Sequence, residues 1–380
     1  MKFLLETLGM TNQCNLRCTY CDWEKEEYKS LTQEEYKIAK NNLEETRKLI
    51  DSNYPEVCLV QYSGGEPFLY PEIINYVLEI FKDKWIRINT NGINIQDEQL
   101  KKIKEHGKAY LAISIDGVNE KAMEPRIRGN KVILDKILEN LDRAVIARIP
   151  VMILCTLSLD NIEYFPEFVE HIQKKYKKEI DEGMLVMPTH CVTSYATKHN
   201  EVEGEIVKRF KKYIAENVEK YPLLNNISEH YEHMIFYLEN KERKVPCSIS
   251  DWTVSVHFRK NQLVEDGHFT SFGCGMRGIR ELGDFDVNDE KQILEFVNKL
   301  SIVEKNKDIE PLRFLKENYQ DNKEIERECI TKCFPDWVMF DLIISGLVSI
   351  EKAEKWFVLF KDDKVKNFIQ KYRSQSEQYE

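Results

Sequence analysis

Short apolar runs alternate with longer amphipathic stretches over the first half of the chain. β-branched and aromatic residues concentrate in the short runs, a pattern typical of buried strands. The predicted strands cover residues 3–11, 57–62, 85–90, 110–116, 151–159 and 184–188. Apolar residues at three- and four-residue spacing between these runs predict helices over about 33–51, 72–81, 97–106, 131–147 and 163–175.

This alternation predicts an α/β fold with parallel strands joined by right-handed helical crossovers. An open doubly wound sheet and a curved, partial barrel both fit, and six β/α units are fewer than the eight of a closed barrel. After about residue 195 the pattern changes to charged helices at 201–220 and 228–241, a β-like stretch at 252–264, glycine-rich sequence and then mostly helical sequence. We therefore expect a domain over 1–195, a helical linker over 196–245, and a C-terminal α+β module with terminal helices over 246–380.

The composition excludes several classes of protein. With 42% hydrophobic and 32% charged residues and a net charge of −10, the chain has the profile of a soluble globular protein rather than of a nucleic-acid-binding one. No run approaches the roughly 18 apolar residues of a membrane span, and the first residues lack the features of a signal peptide. We expect a cytoplasmic protein without membrane or nucleic-acid partners, in which the 10 cysteines serve metal ligation or redox chemistry rather than disulfides.

Three cysteines, Cys14, Cys18 and Cys21, directly follow the first predicted strand. In a β/α architecture they would lie on the loop at the C-terminal end of that strand, where active sites form. Three thiolates fit a [4Fe–4S] cluster with one iron left without a protein ligand, while a zinc site with a fourth ligand or a chance grouping remains an alternative. The spacing Cys-x3-Cys-x2-Cys, with Tyr20 before the last cysteine, resembles the signature of the radical S-adenosylmethionine (SAM) superfamily. This resemblance implies a partial (β/α)6 TIM-like barrel, a cluster that binds SAM, and a SAM contact from Tyr20.

The segment Ser63-Gly64-Gly65-Glu66-Pro67 follows the second predicted strand and resembles the family's GGEP motif. The resemblance implies that Gly64, Gly65 and Glu66 bind the methionyl amine of SAM. The residue types agree, because glycine lets the backbone approach a ligand and a carboxylate accepts hydrogen bonds from an ammonium group. A Gly-Gly pair by itself would fit an ordinary turn equally well.

Two later strands end in further motifs. Asn89-Thr90-Asn91-Gly92 is similar to a T-N-G segment that lies along the SAM site in relatives, which implicates Thr90 and Asn91. The stretch from Ser114-Ile115-Asp116-Gly117 to Pro125-Arg126-Ile127-Arg128-Gly129 resembles the S-x-D-G and R-x-R-G elements of the peptide- and protein-modifying branch. It implies a ribose contact from Ser114, a cofactor contact from Asp116, and an arginine at the SAM carboxylate, with Arg128 favoured over Arg126.

The sixth predicted strand carries two weaker candidates. Met187 occupies a position from which relatives pack a side chain against adenine, although a methionine on a strand more often belongs to the core. Cys191 lies just beyond this strand, near the expected barrel mouth, where a thiol could donate a hydrogen atom to a substrate radical. Cys58 and Cys155 fall within predicted strands and are most simply interpreted as small buried hydrophobic residues.

A second cysteine set lies in the C-terminal half and comprises Cys247, Cys274, Cys329 and Cys333. It resembles the twitch module, the shortened version of the SPASM extension, and this implies one auxiliary [4Fe–4S] cluster. Four cysteines would also satisfy tetrahedral zinc. The spacing alone does not separate the two metals.

The resemblance implies an enzyme that reductively cleaves SAM to a 5′-deoxyadenosyl radical, with electrons from flavodoxin or ferredoxin, and that abstracts a substrate hydrogen. By analogy with the twitch/SPASM branch we expect modification of a peptide or protein side chain, as in a RiPP-type maturase. Oxidation of a small molecule such as an amino sugar alcohol is the alternative. A non-catalytic metal-binding protein would be distinguished by its failure to form 5′-deoxyadenosine.

Overall fold

The computed structural model describes residues 3–8, 11, 13–21, 29–158, 160–191, 200–240, 244–245, 253–258, 268–272, 281–286, 291–292 and 335–376. No helix within these ranges combines the length and the apolar character needed to cross a membrane.

The first half of the chain forms a parallel sheet. Its strands are β1 (Leu4–Leu8), β2 (Leu59–Tyr62), β3 (Trp85–Thr90), β4 (Ala109–Ser114), β5 (Val151–Leu157) and β6 (Leu185–Val186), and each pairs in parallel with the next in chain order. A doubly wound sheet would reverse its strand order at a switch point. Because the described strands keep one consecutive order, the fold is consistent with a partial TIM-like barrel rather than with the doubly wound alternative. A short strand, β7 (Thr189–Cys191), pairs with the end of β5.

Helices connect the strands close to the predicted positions. They are α1 (Gln33–Asn53), α2 (Pro71–Ile80), α3 (Asp97–His106), α4 (Glu120–Ile127), α5 (Lys131–Ile146), α6 (Phe165–Lys175) and α7 (Lys177–Asp181). A capping box starts α1, because the Thr32 hydroxyl accepts from the Glu35 N–H at 3.2 Å and the Glu35 carboxylate accepts from the Thr32 N–H at 2.6 Å. Helices α4 and α7 were not predicted from the sequence.

Helix α4 forms despite a proline in its interior, and this explains why the sequence pattern missed it. Pro125 has no N–H to donate, so it normally argues against a helix at that position. The helix is only 8 residues long and starts at Asn119, whose side chain accepts from the N–H of Ala122 at 2.9 Å. It ends where Arg128 adopts a left-handed backbone conformation, with φ of 49°.

The second half of the chain extends the same sheet. After α8 (Asn200–Asn217), α9 (Pro222–Asn225) and α10 (Ser228–Asn240), strand β8 (Thr253–Phe258) joins β1 in parallel. Strands β9 (His268–Phe272) and β10 (Glu281–Asp286) then continue it in antiparallel pairing. Of these three strands, only β8 lies in a stretch that was predicted as β. The five-residue β9 lies in the glycine-rich sequence, and β10 lies in sequence that was predicted to be mostly helical.

Three C-terminal helices, α11 (Pro335–Ile344), α12 (Ile350–Trp356) and α13 (Asp363–Ser376), pack at the N-terminal ends of the strands. The Phe3 ring, just before β1, lies 4.7 Å from the ring of Phe340 and 5.0 Å from that of Phe368 between centroids. Lys108, just before β4, pairs its Nζ with an Asp362 carboxylate oxygen at 2.8 Å. The helices therefore cover the end of the sheet opposite to the loops that carry the sequence motifs.

Candidate active site

The cysteine loop and the Gly-Gly-Glu loop are joined through their backbones. The N–H of Gly65 donates to the carbonyl of Thr11 at 2.5 Å, and the N–H of Glu66 donates to the carbonyl of Gln13 at 2.8 Å. The two loops follow the C-terminal ends of β1 and β2. Because these parallel strands are neighbours in the sheet, the loops lie side by side. Gly64 and Gly65 are half-buried, so their backbone reaches the surface of the site.

The three cysteines of the first loop differ in exposure. Cys14 is buried, Cys18 is half-buried and Cys21 is exposed. The N–H of Cys21 donates to the carbonyl of Cys18 at 3.3 Å, so the last two cysteines belong to one tight turn. The thiols thus extend from the interior of the site to its surface.

Glu66 is completely buried and links two motifs. One carboxylate oxygen accepts from the N–H of Phe68 at 3.0 Å and from the hydroxyl of Thr90 at 2.8 Å. The other accepts from the N–H of Asn91 at 2.7 Å. Burial raises the pKa of Glu66 to about 7, even though these three hydrogen bonds act in the opposite direction. Its carboxylate therefore has partners within the protein, in the loop after β2 and at the end of β3.

Asn91 connects the end of β3 to the cysteine loop. Its side-chain amide donates to the Asn15 side-chain oxygen at 2.7 Å, and the same nitrogen lies 3.9 Å from the Cys14 sulfur. Its own side-chain oxygen accepts from the N–H of Ile93 at 3.0 Å. The predicted T-N-G segment is thus adjacent to the predicted cluster ligand through a direct side-chain contact.

Asp116, at the end of β4, is completely buried and pairs with Arg126 from α4. The guanidinium donates from Nε and from Nη2, one bond to each carboxylate oxygen and both at 3.1 Å. The carboxylate also accepts from the N–H of Thr156 at 2.9 Å and from the Tyr20 hydroxyl at 2.5 Å. Burial opposes the charge on Arg126, but the neighbouring Asp116, Tyr20 and Cys18 hold its pKa well above the usual range.

The structure therefore distinguishes between the two arginines of the R-x-R-G segment. Arg126 is buried and its Nη1 lies 3.9 Å from the Cys18 sulfur, whereas Arg128 is exposed and follows the end of α4. The sequence analysis favoured Arg128. A helix prediction over 120–127 would have indicated the difference, because residues 122, 123 and 126 share one face at three- and four-residue spacing.

The remaining candidates are more scattered. Ser114 ends β4 and is half-buried. Met187 is completely buried in the hydrophobic core, and its carbonyl accepts from the Tyr231 hydroxyl at 2.8 Å. The backbone of Cys191 pairs with that of Leu157 at the end of β5. The four cysteines of the second set, Cys247, Cys274, Cys329 and Cys333, lie outside the described residues.

The donor set of the first loop fits an iron–sulfur cluster. Within the described ranges no three His, Cys, Asp or Glu side chains are grouped so that they could hold one metal ion. Three cysteine thiols suit a [4Fe–4S] cubane, in which each cysteine binds a different iron. N–H donors also lie next to two of the sulfurs. The backbone nitrogen of Leu16 is 3.4 Å from the Cys14 sulfur, and the Asn91 side-chain amide lies beside the same sulfur. The Arg126 guanidinium lies beside the sulfur of Cys18. Such donors stabilise thiolate ligands.

Known proteins resemble this part of the chain. Residues 8–172 match the model of the radical SAM superfamily. Fe-coproporphyrin III synthase of Methanosarcina barkeri is 30% identical over 172 residues, which are 44% of this chain and 40% of that protein. The sporulation killing factor maturation protein SkfB of Bacillus subtilis is 25% identical over 169 residues, 43% of this chain and 38% of that protein. The chain thus spans less than half the length of both relatives.

The fold similarity extends further along the chain. The solved structure of anSMEcpe with bound AdoMet aligns with a TM-score of 0.54 at 18% identity, over 82% of this chain and 84% of that one. At this identity the similarity concerns the fold. The family match itself covers residues 8–172, which are less than half of this chain.

Proposed function

We propose that this protein is a radical SAM enzyme that cleaves SAM reductively and abstracts a hydrogen atom from its substrate. The observation that carries the proposal is the contact between the cysteine loop and the two following motifs, made by Gly65, Glu66 and Asn91, within a domain that matches the family. A [4Fe–4S] cluster with one iron free of protein ligands would supply the electron that breaks a carbon–sulfur bond of SAM and yields the 5′-deoxyadenosyl radical.

The chain's own residues bind and orient these groups. Cys14, Cys18 and Cys21 would ligate three irons. The half-buried backbone of Gly64 and Gly65 is available to the methionyl group of SAM. This backbone is fixed in place, because the Gly65 and Glu66 N–H groups are bonded to the cysteine loop. Such pre-organisation matters because the radical carbon must meet one substrate C–H bond in a defined geometry.

Glu66 would act on SAM differently from the expectation based on its motif. With three donors already bound to its carboxylate, it holds the end of β3 in place. Its carboxylate is also completely buried, so the backbone of Gly64 and Gly65 is the part of the motif that is open to the methionyl ammonium group. Tyr20 and Ser114, which are half-buried, remain candidates for contacts to the adenosyl part, whereas the burial of Met187 in the core disfavours its expected contact with adenine.

The experiment that tests this function is anaerobic incubation of the reconstituted protein with SAM and dithionite. The expected result is release of 5′-deoxyadenosine and methionine in equal amounts. A protein that holds a [4Fe–4S] cluster and binds SAM but releases neither product would contradict the proposal.

We infer that the substrate is a peptide or protein side chain. The likeness to SkfB, whose name describes maturation of a killing factor, supports this class. Fe-coproporphyrin III synthase, named for a small-molecule product, keeps oxidation of a small molecule as the second candidate. The two classes are separated by fractionating an extract of the source cells and adding each fraction to the SAM cleavage assay. A fraction that accelerates cleavage and loses this effect after proteinase K treatment supports a peptide, whereas a protease-resistant fraction supports a small molecule.

We propose that the second cysteine set, Cys247, Cys274, Cys329 and Cys333, would hold an auxiliary [4Fe–4S] cluster, which would supply an electron acceptor for the substrate radical. Reconstituted protein should then contain about eight irons per chain, because each cubane contributes about four. About four irons and one tightly bound zinc would contradict the auxiliary cluster and leave the SAM cleavage unaffected. Flavodoxin or ferredoxin is the proposed electron donor to the first cluster, and Cys191 remains a candidate hydrogen-atom donor.

A further inference from the structure

The Asp116–Arg126 pair is unusual for its depth in the protein. The Asp116 side chain is 0% exposed and that of Arg126 only 7%. Removing two charges from water costs several kcal/mol per ion, and the attraction between the ions often fails to recover it. The pair therefore adds little to stability, and the groups that it contacts indicate another role.

The arginine is already committed on one side. Nε and Nη2 both donate to Asp116, so the planar fork that recognises carboxylates is occupied by a protein carboxylate. The remaining nitrogen, Nη1, lies 3.9 Å from the sulfur of Cys18. The orientation of the guanidinium is thus fixed by Asp116 and brings its positive charge next to a predicted cluster ligand.

Two further contacts hold the cysteine turn against the same pair. The N–H of Thr19 donates to the carbonyl of Pro125 at 2.8 Å, and the Tyr20 hydroxyl donates to Asp116 at 2.5 Å. The Tyr20 ring also lies under the guanidinium carbon of Arg126, 5.5 Å from ring centroid to Cζ. The segment from Cys18 to Tyr20 is thereby bound to α4 and to the end of β4.

We propose that Arg126, oriented by Asp116, is a positioning residue that donates to the Cys18 thiolate and raises the reduction potential of the cluster bound there. The inference rests on the proposed function, since it requires that Cys18 ligates a cluster. A cluster gains a negative charge when it is reduced, so a neighbouring cation and an N–H donor to a ligand sulfur stabilise the reduced form.

The test is a potentiometric titration of the full-length, reconstituted protein without SAM, followed by electron paramagnetic resonance. The signal of this cluster is the one that is absent from a variant in which Cys14, Cys18 and Cys21 are alanine. The decisive variant is Asp116→Asn/Arg126→Gln, because Arg126→Gln alone would leave a buried carboxylate without its partner. At a given potential its ratio of reduced to oxidised cluster should fall about tenfold, a shift of about 59 mV for a one-electron couple.

Arg128→Gln is the matched control, because it removes an exposed arginine that lies only two residues after Arg126. It should leave the potential of the SAM-free cluster unchanged. If the double variant does not retain its cluster, Arg126→Lys takes its place, because an ammonium group can pair with Asp116 but lacks the second edge that reaches Cys18. The potential of that variant should also fall, by less than in the double variant.

The outcomes separate this inference from the proposed function. A wild-type protein that binds no cluster would refute both. A variant with full iron content and the wild-type potential would overturn the role of Arg126 alone, as would an equal fall in Arg128→Gln. A purely structural role would lower iron content or stability and leave the potential of the retained cluster unchanged.

Discussion

The buried carboxylate of Glu66 accepts the backbone N–H of Asn91 at 2.7 Å and thereby joins the loop after β2 to the end of β3. Asn91 in turn contacts the cysteine loop through its side chain. Three of the sequence motifs are thus linked by one chain of hydrogen bonds. The properties of Glu66 and Asn91 lead to the first two predictions.

Glu66 should make the stability of the metal-free protein depend on pH. Its pKa in the folded protein is about 7, above the usual 4.5, so the folded state binds the proton more tightly than the unfolded state. The resulting stabilisation is complete below about pH 4.5 and is lost as the pH rises through 7. Relative to Glu66→Gln, which cannot titrate, the wild-type free energy of unfolding should fall by up to about 3 kcal/mol across this range. Urea denaturation of both proteins from pH 4.5 to 8 measures the difference, and parallel pH profiles would show that Glu66 does not titrate in this way.

Asn91→Ala should weaken retention of the cluster. The substitution removes the amide that donates to Asn15 and lies beside the Cys14 sulfur. Loss of a group that supports a metal ligand typically costs about tenfold or more in metal affinity, so release of iron to a chelator should be roughly tenfold faster. Asn130→Ala is the control, because Asn130 is exposed and its side chain does not cap α5. Equal rates of iron release from the two variants would show that Asn91 does not help to retain the cluster.

The packing of the C-terminal helices can be tested with two glycines. Gly107 and Gly183 both have a positive φ, 74° and 70°, but a Cβ at Gly107 would meet no atom within 4 Å, whereas one at Gly183 would lie 3.3 Å from the carbonyl oxygen of Lys355 in α12. Gly107→Ala should therefore cost only the backbone strain, about 1 kcal/mol. Gly183→Ala should cost at least about 1 kcal/mol more, because the helix must move away. Equal losses in urea denaturation would mean that α12 does not pack closely on the turn before β6.

The sequence predicted the parallel β/α half of the fold because periodicity and end signals agreed there. Helix α3 has the predicted bounds, 97–106, since it begins with two acidic residues and ends at Gly107 in a left-handed conformation. The motifs were placed at strand ends for the same reason. Helix α4 was missed because Pro125 normally disfavours a helix.

Features that depend on tertiary contacts could not be predicted from the sequence. The preference for Arg128 over Arg126 followed from a motif, whereas burial beside Asp116 distinguishes them in the structure. The pairing of β8 with β1 joins strands separated by more than two hundred residues, and no local pattern indicates such a partner. The same holds for the C-terminal helices, whose apolar residues predict helices but not the strand ends on which they pack.

The role of Cys14, Cys18 and Cys21 is tested most directly by comparing 5′-deoxyadenosine release by three proteins under anaerobic conditions with SAM and dithionite. In the first variant Cys14, Cys18 and Cys21 are replaced by alanine. In the control, Cys155→Ala, the missing thiol is a buried one within β5. We expect release by the wild type and by the control, and none above background by the triple variant in its folded, soluble form. Release by the triple variant at the wild-type rate would contradict the assignment of these cysteines and with it the proposed function.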